Sequence, residues 1–301
     1  MSDKVPVILD TDIGSDIDDA VCLAYLLRQP KCELLGVTTV SGKVLERAAL
    51  ADAVCKAAGR RDIPIHAGCS HGINLGEVQP NVPQASVLPR FEHRAPSEFK
   101  VGTAVEFLRE QINRRPGEIT LLAIGPMTNL GVLFTLDPDI PKKLKSLVLM
   151  CGVFTSTIPY CAKEWNAICD PVATAITYRA PAKPHLSIGL DVTMKCQLPS
   201  AECIKKFNDI GGPLKVVAAM TEVWAKGGHL VTFHDPLAAA VIFKPDICKW
   251  EDGKVDVELK SDRAAGMTHW DRRSEDKPHK IAVEVNAEAF FNEYFAVTGG
   301  K

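Results

Sequence analysis

Five aspartates stand within ten residues near the start of the chain, at Asp10, Asp12, Asp16, Asp18 and Asp19. They directly follow an apolar run at 5–9 that has the character of a strand. Like charges a few ångströms apart repel by roughly 1–4 kcal/mol, depending on how wet the site is. The carboxylates can therefore stay charged together only if they share a cation. Because open α/β sheets bind ligands at the carboxyl ends of their strands, this cluster predicts a site for a hard cation there.

Two later motifs can contribute to the same site. Ile124-Gly125-Pro126 follows a buried apolar run, and a sharp turn there can leave the Ile124 carbonyl pointing outward as a ligand; a plain strand-to-helix turn is the alternative. His234-Asp235-Pro236 precedes an apolar helix, with Pro in the first turn. A simple helix cap is the alternative for this tripeptide. Beside the first cluster, however, Asp235 becomes a candidate metal ligand with an adjacent acid, His234.

A third motif suits recognition of hydroxyl groups. Glu164 and Asn166 are two residues apart, so in extended backbone both side chains point to the same side. A polar loop before a helix capped by Asp170 is the alternative. The combined clusters offer oxygen donors and no thiolate spacing, which favours Ca²⁺ or Mg²⁺ over zinc.

Strand and helix patterns alternate along the chain. Strands are predicted at 5–9, 33–40, 63–67, 119–124, 144–150, 185–189, 255–260 and 281–285. Helices are predicted at 18–28, 45–58, 97–114, 127–136, 171–178, 213–226, 236–243 and 287–297. The repeated βα units predict an α/β fold in which helices flank a mostly parallel, doubly wound sheet. No linker or repeat divides the chain, so residues 1–301 are expected to form a single domain, with 68–94 a long loop beside the site.

The composition narrows the class of protein. At 301 residues and 46% hydrophobic content, the chain can bury a large core. A net charge of −2 gives no attraction to nucleic acid or anionic membranes, so neither is an expected partner. The ten cysteines show no CxxC spacing and are expected to be free thiols. The beginning of the chain does not resemble a signal peptide, which favours a cytoplasmic location.

The ordered motifs resemble those of the inosine–uridine preferring nucleoside hydrolases, over nearly the whole chain. The matching segments are Asp-Thr-Asp-Ile-Gly at 10–14 with Asp-Asp-Ala at 18–20, Thr-Thr-Val-Ser-Gly at 38–42, Ile-Gly-Pro-Met-Thr-Asn at 124–129, Leu-Met-Cys-Gly at 149–152, Glu-Trp-Asn at 164–166 and His-Asp-Pro at 234–236. The resemblance implies the nucleoside hydrolase fold and hydrolysis of the N-glycosidic bond of purine or pyrimidine ribonucleosides. A small-molecule nucleoside would be the partner, and the enzyme would be a homo-oligomer, a dimer or a tetramer.

The resemblance also implies roles for individual residues. The ligands of a Ca²⁺ ion would be Asp12, Asp19, the Ile124 carbonyl and Asp235. Ribose would be held by Asp18, Met150, Glu164 and Asn166. Asp10 would support the metal cluster from behind. Asp12 would act as general base on a water at the metal, and His234 as acid toward the leaving base, as an oxocarbenium-like ribose forms.

The sequence departs from the family pattern at four places. The first motif is two residues longer, so Asp16 can replace Asp18 or join it. Lys43 stands where an Asn is usual, which would bring an ammonium near the ribose or the metal. The loop 76–94 lacks the expected His-Gly pair and offers Gln79 among other polar residues. Ile158 stands where an Asn often reaches the 5′-hydroxyl.

The pocket for the leaving base is less well defined. Candidates from the helix before His234 are Glu222, Trp224, Lys226 and His229. Trp224 can stack on a base; the alternative is that its side chain is buried in the hydrophobic core.

Two other functions compete with hydrolysis. A phosphotransferase with a catalytic Asp-x-Asp and Mg²⁺ would need a cation such as Lys43 to bind phosphate, and would leave the motif at 234–236 unexplained. A binding protein that keeps Ca²⁺ and a ribosyl ligand is the second alternative. Such a protein needs neither a base such as Asp12 nor an acid such as His234.

Overall fold

The alternating elements form one nine-stranded sheet and a separate two-stranded sheet. A computed structural model of the protein describes residues 4–155, 162–226 and 228–300. The strands are β1 Val5–Thr11, β2 Cys32–Thr39, β3 Ile65–Ala67, β4 Thr120–Ala123, β5 Ser146–Met150, β6 His185–Ile188, β7 Gln197–Pro199, β8 Leu230–Thr232, β9 Cys248–Val257, β10 Thr268–Asp271 and β11 His279–Val285. The helices are α1 Asp18–Arg28, α2 Val44–Ala57, α3 Ala104–Arg114, α4 Thr128–Leu136, α5 Trp165–Cys169, α6 Pro171–Arg179, α7 Leu190–Thr193, α8 Ser200–Ile210, α9 Pro213–Trp224, α10 His234–Phe243 and α11 Ala287–Gly299.

The order of the strands places the site. The large sheet runs β10-β9-β11-β6-β5-β4-β1-β2-β3. The seven strands from β11 to β3 are parallel to their neighbours, and β9 and β10 complete one edge in antiparallel fashion. The chain order reverses between β1 and β4, which makes the carboxyl ends of these two strands a topological switch point. The aspartate cluster and the Ile124 turn follow β1 and β4, so they meet at this point.

The core lies on both faces of the sheet. Along β1, Val7 and Leu9 enter one hydrophobic cluster, while Ile8 enters the other, as alternation along a strand requires. Helices α1, α2, α9, α10 and α11 bury residues in the first cluster, and α3, α4 and α6 bury residues in the second. Helices therefore cover the sheet on both sides, which confirms the predicted α/β class.

Several predicted boundaries are wrong. The tail strand predicted at 255–260 is β9, Cys248–Val257, and it begins earlier because it pairs along most of β11. The helix predicted from residue 97 begins at Ala104, after a separate 3₁₀ turn at Pro96–Glu98. The loop predicted at 68–94 contains a 3₁₀ helix, Pro83–Arg90. Sequence reasoning missed the helix α8 and the strands β7, β8 and β10.

Within the described part of the chain, no helix combines the length and the apolar character that crossing a membrane requires. The described cysteines are free, as expected.

Candidate active site

A cavity of about 480 Å³ opens at the carboxyl ends of the parallel strands. The predicted site residues that line it are Asp12, Asp16, Asp18, Asp19, Ile124, Met150, Glu164, Asn166, His234 and Asp235. They come from the loops after β1 and β4, from the end of β5 and from the starts of α1, α5 and α10. Asp10 and Lys43 are not part of the lining. The fold thus brings together in one wall residues that are more than 200 positions apart in sequence.

Three buried carboxylates form the most compact group in this wall. Asp18 and Asp19 begin α1, and Asp235 lies in the first turn of α10, so two helix N-termini deliver them. One ligand atom from each residue lies within 4.8 Å of those of the other two. The donors are all carboxylate oxygens, which is the set that hard cations such as Ca²⁺ and Mg²⁺ prefer. The group could therefore hold a metal ion.

The electrostatics of the triplet support the same interpretation. Burial, together with the negative charge of neighbouring aspartates, raises the pKa of Asp18, Asp19 and Asp235 well above the usual range. Few protein donors offset this cost. Asp19 accepts hydrogen bonds from the Thr11 hydroxyl at 2.5 Å and the Asp12 amide at 3.2 Å. A proton or a bound cation is what relieves the remaining repulsion, so the residues fit a divalent ion.

Asp12 lies beside this triplet and Asp10 lies behind it. The Asp12 side chain is 5% exposed, and its pKa is raised by burial despite the nearby Arg47 guanidinium. Asp10 is fully buried, where its carboxylate accepts hydrogen bonds from the Thr38 hydroxyl and, at 2.7 Å, from the Asn129 amide. Burial raises the pKa of Asp10 to about 7. The tight triplet thus contains Asp18, and Asp12, which the family resemblance implies as a ligand, lies beside it.

Another part of the cavity wall is built around a short helix, α5. Glu164 caps α5, and its carboxylate accepts from the amides of Asn166 at 2.7 Å, Ala167 at 2.9 Å and Gly152 at 3.1 Å. Glu164 itself has extended backbone, as expected, but α5 begins directly after it, so Glu164 meets Asn166 through a helix cap. Burial raises the pKa of Glu164, and the three amides oppose that shift.

The amide of Asn166 is committed to two carbonyls. Its Nδ2 donates to the oxygen of Ile124 at 2.7 Å and to that of Met150 at 3.0 Å. A carbonyl oxygen has two lone pairs, so Ile124 can accept this bond and still face a ligand in the cavity. The expected alternative for the end of this motif is also present, since Asp170 caps α6 through a 3.0 Å bond from the Ala173 amide.

The positions that depart from the family pattern differ in where they lie relative to the cavity. Asp16 is exposed at the rim of the cavity, and its carboxylate accepts from the amide of Ile17 at 2.6 Å. Lys43 is exposed and precedes α2 outside the cavity lining, so its ammonium does not enter the wall as expected. Ile158 lies outside the described residues.

Comparison with known proteins decides the family. The family described as "Inosine-uridine preferring nucleoside hydrolase" matches residues 7–292. The chain belongs to this family. It is 31% identical over 266 residues to uridine nucleosidase 1 of Arabidopsis thaliana, a match that covers 84% of the chain and 78% of that protein.

Solved structures of nucleoside hydrolases share the fold. A plant nucleoside hydrolase, PpNRh1, superposes with a TM-score of 0.84 at 24% identity over 99% of each chain. A purine-preferring ribonucleoside hydrolase from Gardnerella vaginalis superposes with a TM-score of 0.83 at 26% identity over 98% of each chain. These matches confirm the predicted fold. Together with the family match, they confirm that the protein is an enzyme, a nucleoside hydrolase.

In this nucleoside hydrolase His234 is held in one orientation. It is the first residue of α10, and its Nδ1 lies 2.6 Å from the Thr193 hydroxyl of α7. Burial lowers its pKa to about 4, so the imidazole is neutral at pH 7. A neutral imidazole can donate a hydrogen bond through one ring nitrogen, and only a small fraction of the ring is protonated at neutral pH.

Aromatic and aliphatic side chains form the outer part of the cavity. Trp224 at the end of α9 and Trp165 at the start of α5 both line it, together with Ile168 and Leu190. Trp165 is 51% exposed, so a large apolar face is open to a ligand. The sequence offered four candidates at 222–229 for the pocket of the base. Among the described residues, Trp224 is the one of these four that lines the cavity.

Arg47 is the residue that sequence reasoning missed. It is fully buried in α2, where it donates to main-chain carbonyls of the loops around the acidic wall. A signal was available, since position 47 shares a helix face with Leu50, Ala51 and Val54, all buried and apolar. A charged residue on such a face is almost never fully buried without partners. Its burial therefore implies a role in holding the site.

Proposed function

We propose that this nucleoside hydrolase cleaves the N-glycosidic bond of ribonucleosides in a Ca²⁺-dependent reaction that releases ribose and a free base. The observation that carries this proposal is the triplet Asp18, Asp19 and Asp235 in one cavity with Glu164 and Asn166. The cavity volume falls within the range usual for small-molecule sites. The acidic wall suits a cation that binds a sugar diol, and the outer aromatic part suits a flat base.

The ion would be held by Asp12, Asp19, the Ile124 carbonyl and Asp235. Bound there, Ca²⁺ would orient the ribose hydroxyls and lower the pKa of the attacking water. Asp18 belongs to the same triplet, so it would lie next to the ion and would contact a ribose hydroxyl. Asp10 would keep the end of β1 in place from behind, through its bond to Asn129.

The chain's own groups account for the remaining steps. Water attacks the anomeric carbon and gives a proton to Asp12, while the bond from that carbon to the base nitrogen breaks. The positive charge that develops on ribose is stabilised by nearby carboxylates, of which Glu164 is fixed by three amides. Met150 and Asn166 border the ribose, and His234 donates a hydrogen bond to the departing base. The base nitrogen takes up one proton from solvent and Asp12 returns to solvent the proton that it received, so the products are ribose and the neutral free base.

A release assay tests the proposal. Wild-type protein is incubated with inosine, uridine, adenosine and cytidine, with a chelator or with added Ca²⁺, and free ribose is measured. We expect turnover of at least one riboside, lost with the chelator and restored by Ca²⁺. Relatives named for uridine and for purines both match this chain, so the panel contains both classes of base. Turnover that persists in the chelator contradicts the metal dependence.

The two competing functions predict other outcomes. A binding protein would show Ca²⁺-dependent binding of ribosides without release of base. A phosphotransferase would use Lys43 near its phosphate, yet Lys43 is exposed and lies outside the cavity lining.

We propose further that residues 1–301 act as one domain in a cytoplasmic dimer or tetramer. Sedimentation of the purified protein measures the assembly.

A further inference from the structure

The ring of His234 is bound to the protein at one nitrogen and open to the cavity at the other. Nδ1 lies 2.6 Å from the hydroxyl oxygen of Thr193, which is the last residue of α7. Nε2 has no hydrogen-bond partner among the described residues, and it is not one of their buried polar atoms that lack a partner. Because His234 lines the cavity, Nε2 is the nitrogen that a ligand can reach.

The position of the ring hydrogen decides what Nε2 can do. A neutral imidazole carries one such hydrogen, so one nitrogen donates a hydrogen bond and the other accepts one. With the hydrogen on Nε2, the ring donates into the cavity. With the hydrogen on Nδ1, the ring offers only a lone pair there and has no donor for a departing base. The partner of Nδ1 therefore controls whether His234 can assist the reaction.

The Thr193 hydroxyl has a single acceptor for its own hydrogen. The side chain is fully buried, so bulk water does not reach it. A threonine in a helix can donate to a carbonyl of the preceding turn, as Thr298 does to Tyr294 at 2.8 Å. Among the described residues, however, the Thr193 hydroxyl bonds to Nδ1 of His234 alone. A buried donor left unpaired costs about 1–3 kcal/mol, so the hydroxyl donates to Nδ1 and the ring hydrogen stays on Nε2.

Main-chain bonds hold the two partners in place independently of their contact. The Phe233 amide donates to the carbonyl of Cys196 at 2.8 Å, which ties the residue before the histidine to the turn after α7. The Asp191 carboxylate in α7 accepts from the amides of Phe154 and Thr155, both at 2.8 Å. The contact between hydroxyl and ring therefore joins two segments that are already fixed.

We propose that Thr193 is a positioning residue for hydrolysis, whose hydroxyl donates to Nδ1 of His234 and so keeps the ring hydrogen on Nε2, facing the leaving base. The inference rests on the proposed function, in which the histidine donates a hydrogen bond to the departing base. No proton passes between the two side chains during the reaction. The hydroxyl acts through the ring, which presents a donor where negative charge develops on the base.

The variant Thr193→Val tests this role, because valine is also β-branched but lacks the hydroxyl. Steady-state kinetics are measured on the riboside that wild type cleaves fastest and on p-nitrophenyl riboside. We expect kcat on the first to fall on the order of 10-fold, with KM and the rate on the second near wild type. Thr193→Ser keeps the hydroxyl and should recover most of the rate. Thr298→Val, an equally buried replacement in α11, is the matched control and should match wild type on both substrates.

A spectroscopic measurement reads the tautomer directly. Nuclear magnetic resonance of isotope-labelled histidine distinguishes protonated from unprotonated ring nitrogens, and His234→Gln identifies the signals of this ring. We expect wild-type protein at neutral pH to carry the hydrogen on Nε2, and Thr193→Val to lose this preference. A fold that is merely disturbed would not move the hydrogen from one nitrogen to the other.

The contrary outcomes can be told apart. A ring hydrogen on Nδ1 in wild type overturns the inference whatever the kinetics show. Equal losses on the two substrates assign Thr193 to the structure of the site and contradict its action through the histidine. A further loss when Thr193→Val is added to His234→Ala contradicts it as well. Should wild type release no base, the proposed function fails, while the ring signals still decide whether Thr193 donates to His234.

Discussion

Arg47 donates hydrogen bonds through one nitrogen, Nη1, to the main-chain carbonyls of Asp12 and, at 3.0 Å, of Ile13. Its Nε donates to Ser41 at 2.7 Å and its Nη2 to Gln79 at 3.4 Å. One fully buried guanidinium thus joins the loops after β1 and β2 to the loop that carries Gln79. The same charge opposes the rise in the pKa of Asp12. The acidic wall is therefore built around a cation that belongs to the protein itself.

Replacement of Arg47 should damage both folding and the site. We expect Arg47→Met to lower the free energy of unfolding by about 3 kcal/mol, because several buried carbonyls lose their donor. Arg47→Lys keeps the charge but cannot reach all of these carbonyls at once, so its loss should be smaller. Chemical denaturation measures the free energy, and calorimetry measures Ca²⁺ affinity. Arg114→Met, on the surface of α3, is the control and should leave both unchanged. A wild-type Ca²⁺ affinity in Arg47→Met contradicts the role in the site.

Without a divalent ion, the protein should become less stable as pH rises. The folded-state pKa values of Asp18, Asp19 and Asp235 are raised above those of an unfolded chain. Their contribution to stability is thus complete below about pH 4 and is lost as pH rises through the raised values. Ca²⁺ should remove this dependence, because a cation favours the charged carboxylates. Thermal unfolding between pH 7 and pH 8, above the range in which unfolded histidines titrate, measures both slopes with and without a chelator.

The variant Asp235→Asn isolates the contribution of the triplet. It should unfold at a higher temperature than wild type in the chelator at pH 8, since one buried charge is gone, and Ca²⁺ should no longer stabilise it. The exposed Asp246→Asn, after α10, is the matched control and should respond to Ca²⁺ like wild type. A Ca²⁺ response that survives in Asp235→Asn would place the ion elsewhere.

Strand order alone predicts part of the site, and the resemblance to the family adds Asp19 and Asp235. Asp10 and Asp12 end a strand, and Ile124 follows a second one, so their meeting at the carboxyl edge of a parallel sheet needs no knowledge of packing. The grouping of Asp18 with Asp235 needs it, because the packing of α1 against α10 is a contact over more than 200 residues. The exact ligand set therefore depends on tertiary structure.

Two further differences have local causes. The extended backbone expected at 164–166 ends at Glu164, because a carboxylate before a helix finds its donors in that helix's own amides, and so Glu164 caps α5. Gln79 lies in a segment without hydrophobic periodicity, where no pattern predicts which side chain faces the cavity. Arg47 could have been found from the apolar face of α2, as a charge among residues that must be buried.

The loss of rate caused by replacing His234 should depend on the leaving group of the substrate. We expect His234→Ala to slow inosine strongly, on the order of 10²-fold, and to spare p-nitrophenyl riboside, whose leaving group needs little assistance. His234→Gln, which can still donate a hydrogen bond, should retain part of the activity on inosine if the neutral ring acts as a donor. Steady-state rates on the two substrates measure the difference. Equal losses on both contradict a role at the leaving base.

A second histidine, outside the cavity lining, should make the fold sensitive to acid. His185 is buried between Tyr178, on which it stacks at 5.2 Å, and His279, which lies 4.7 Å away. Neither ring nitrogen of His185 has a hydrogen-bond partner among the described residues. Burial, aided by His279, lowers its pKa well below the usual value. The folded protein therefore holds this ring neutral.

The direction of the pH effect follows from that lowered pKa. An unfolded histidine gains a proton below about pH 6.5, while the folded His185 does not, so stability present above that pH is lost as pH falls. The loss from one such group approaches about 1.4 kcal/mol per pH unit until the folded pKa is reached. His185→Phe keeps the stacking and removes the titration, so it should lose less stability than wild type between pH 6.5 and pH 5. The exposed His269→Gln is the control and should follow wild type. Denaturation curves for His185→Phe and wild type that decline in parallel over this range would contradict the assignment.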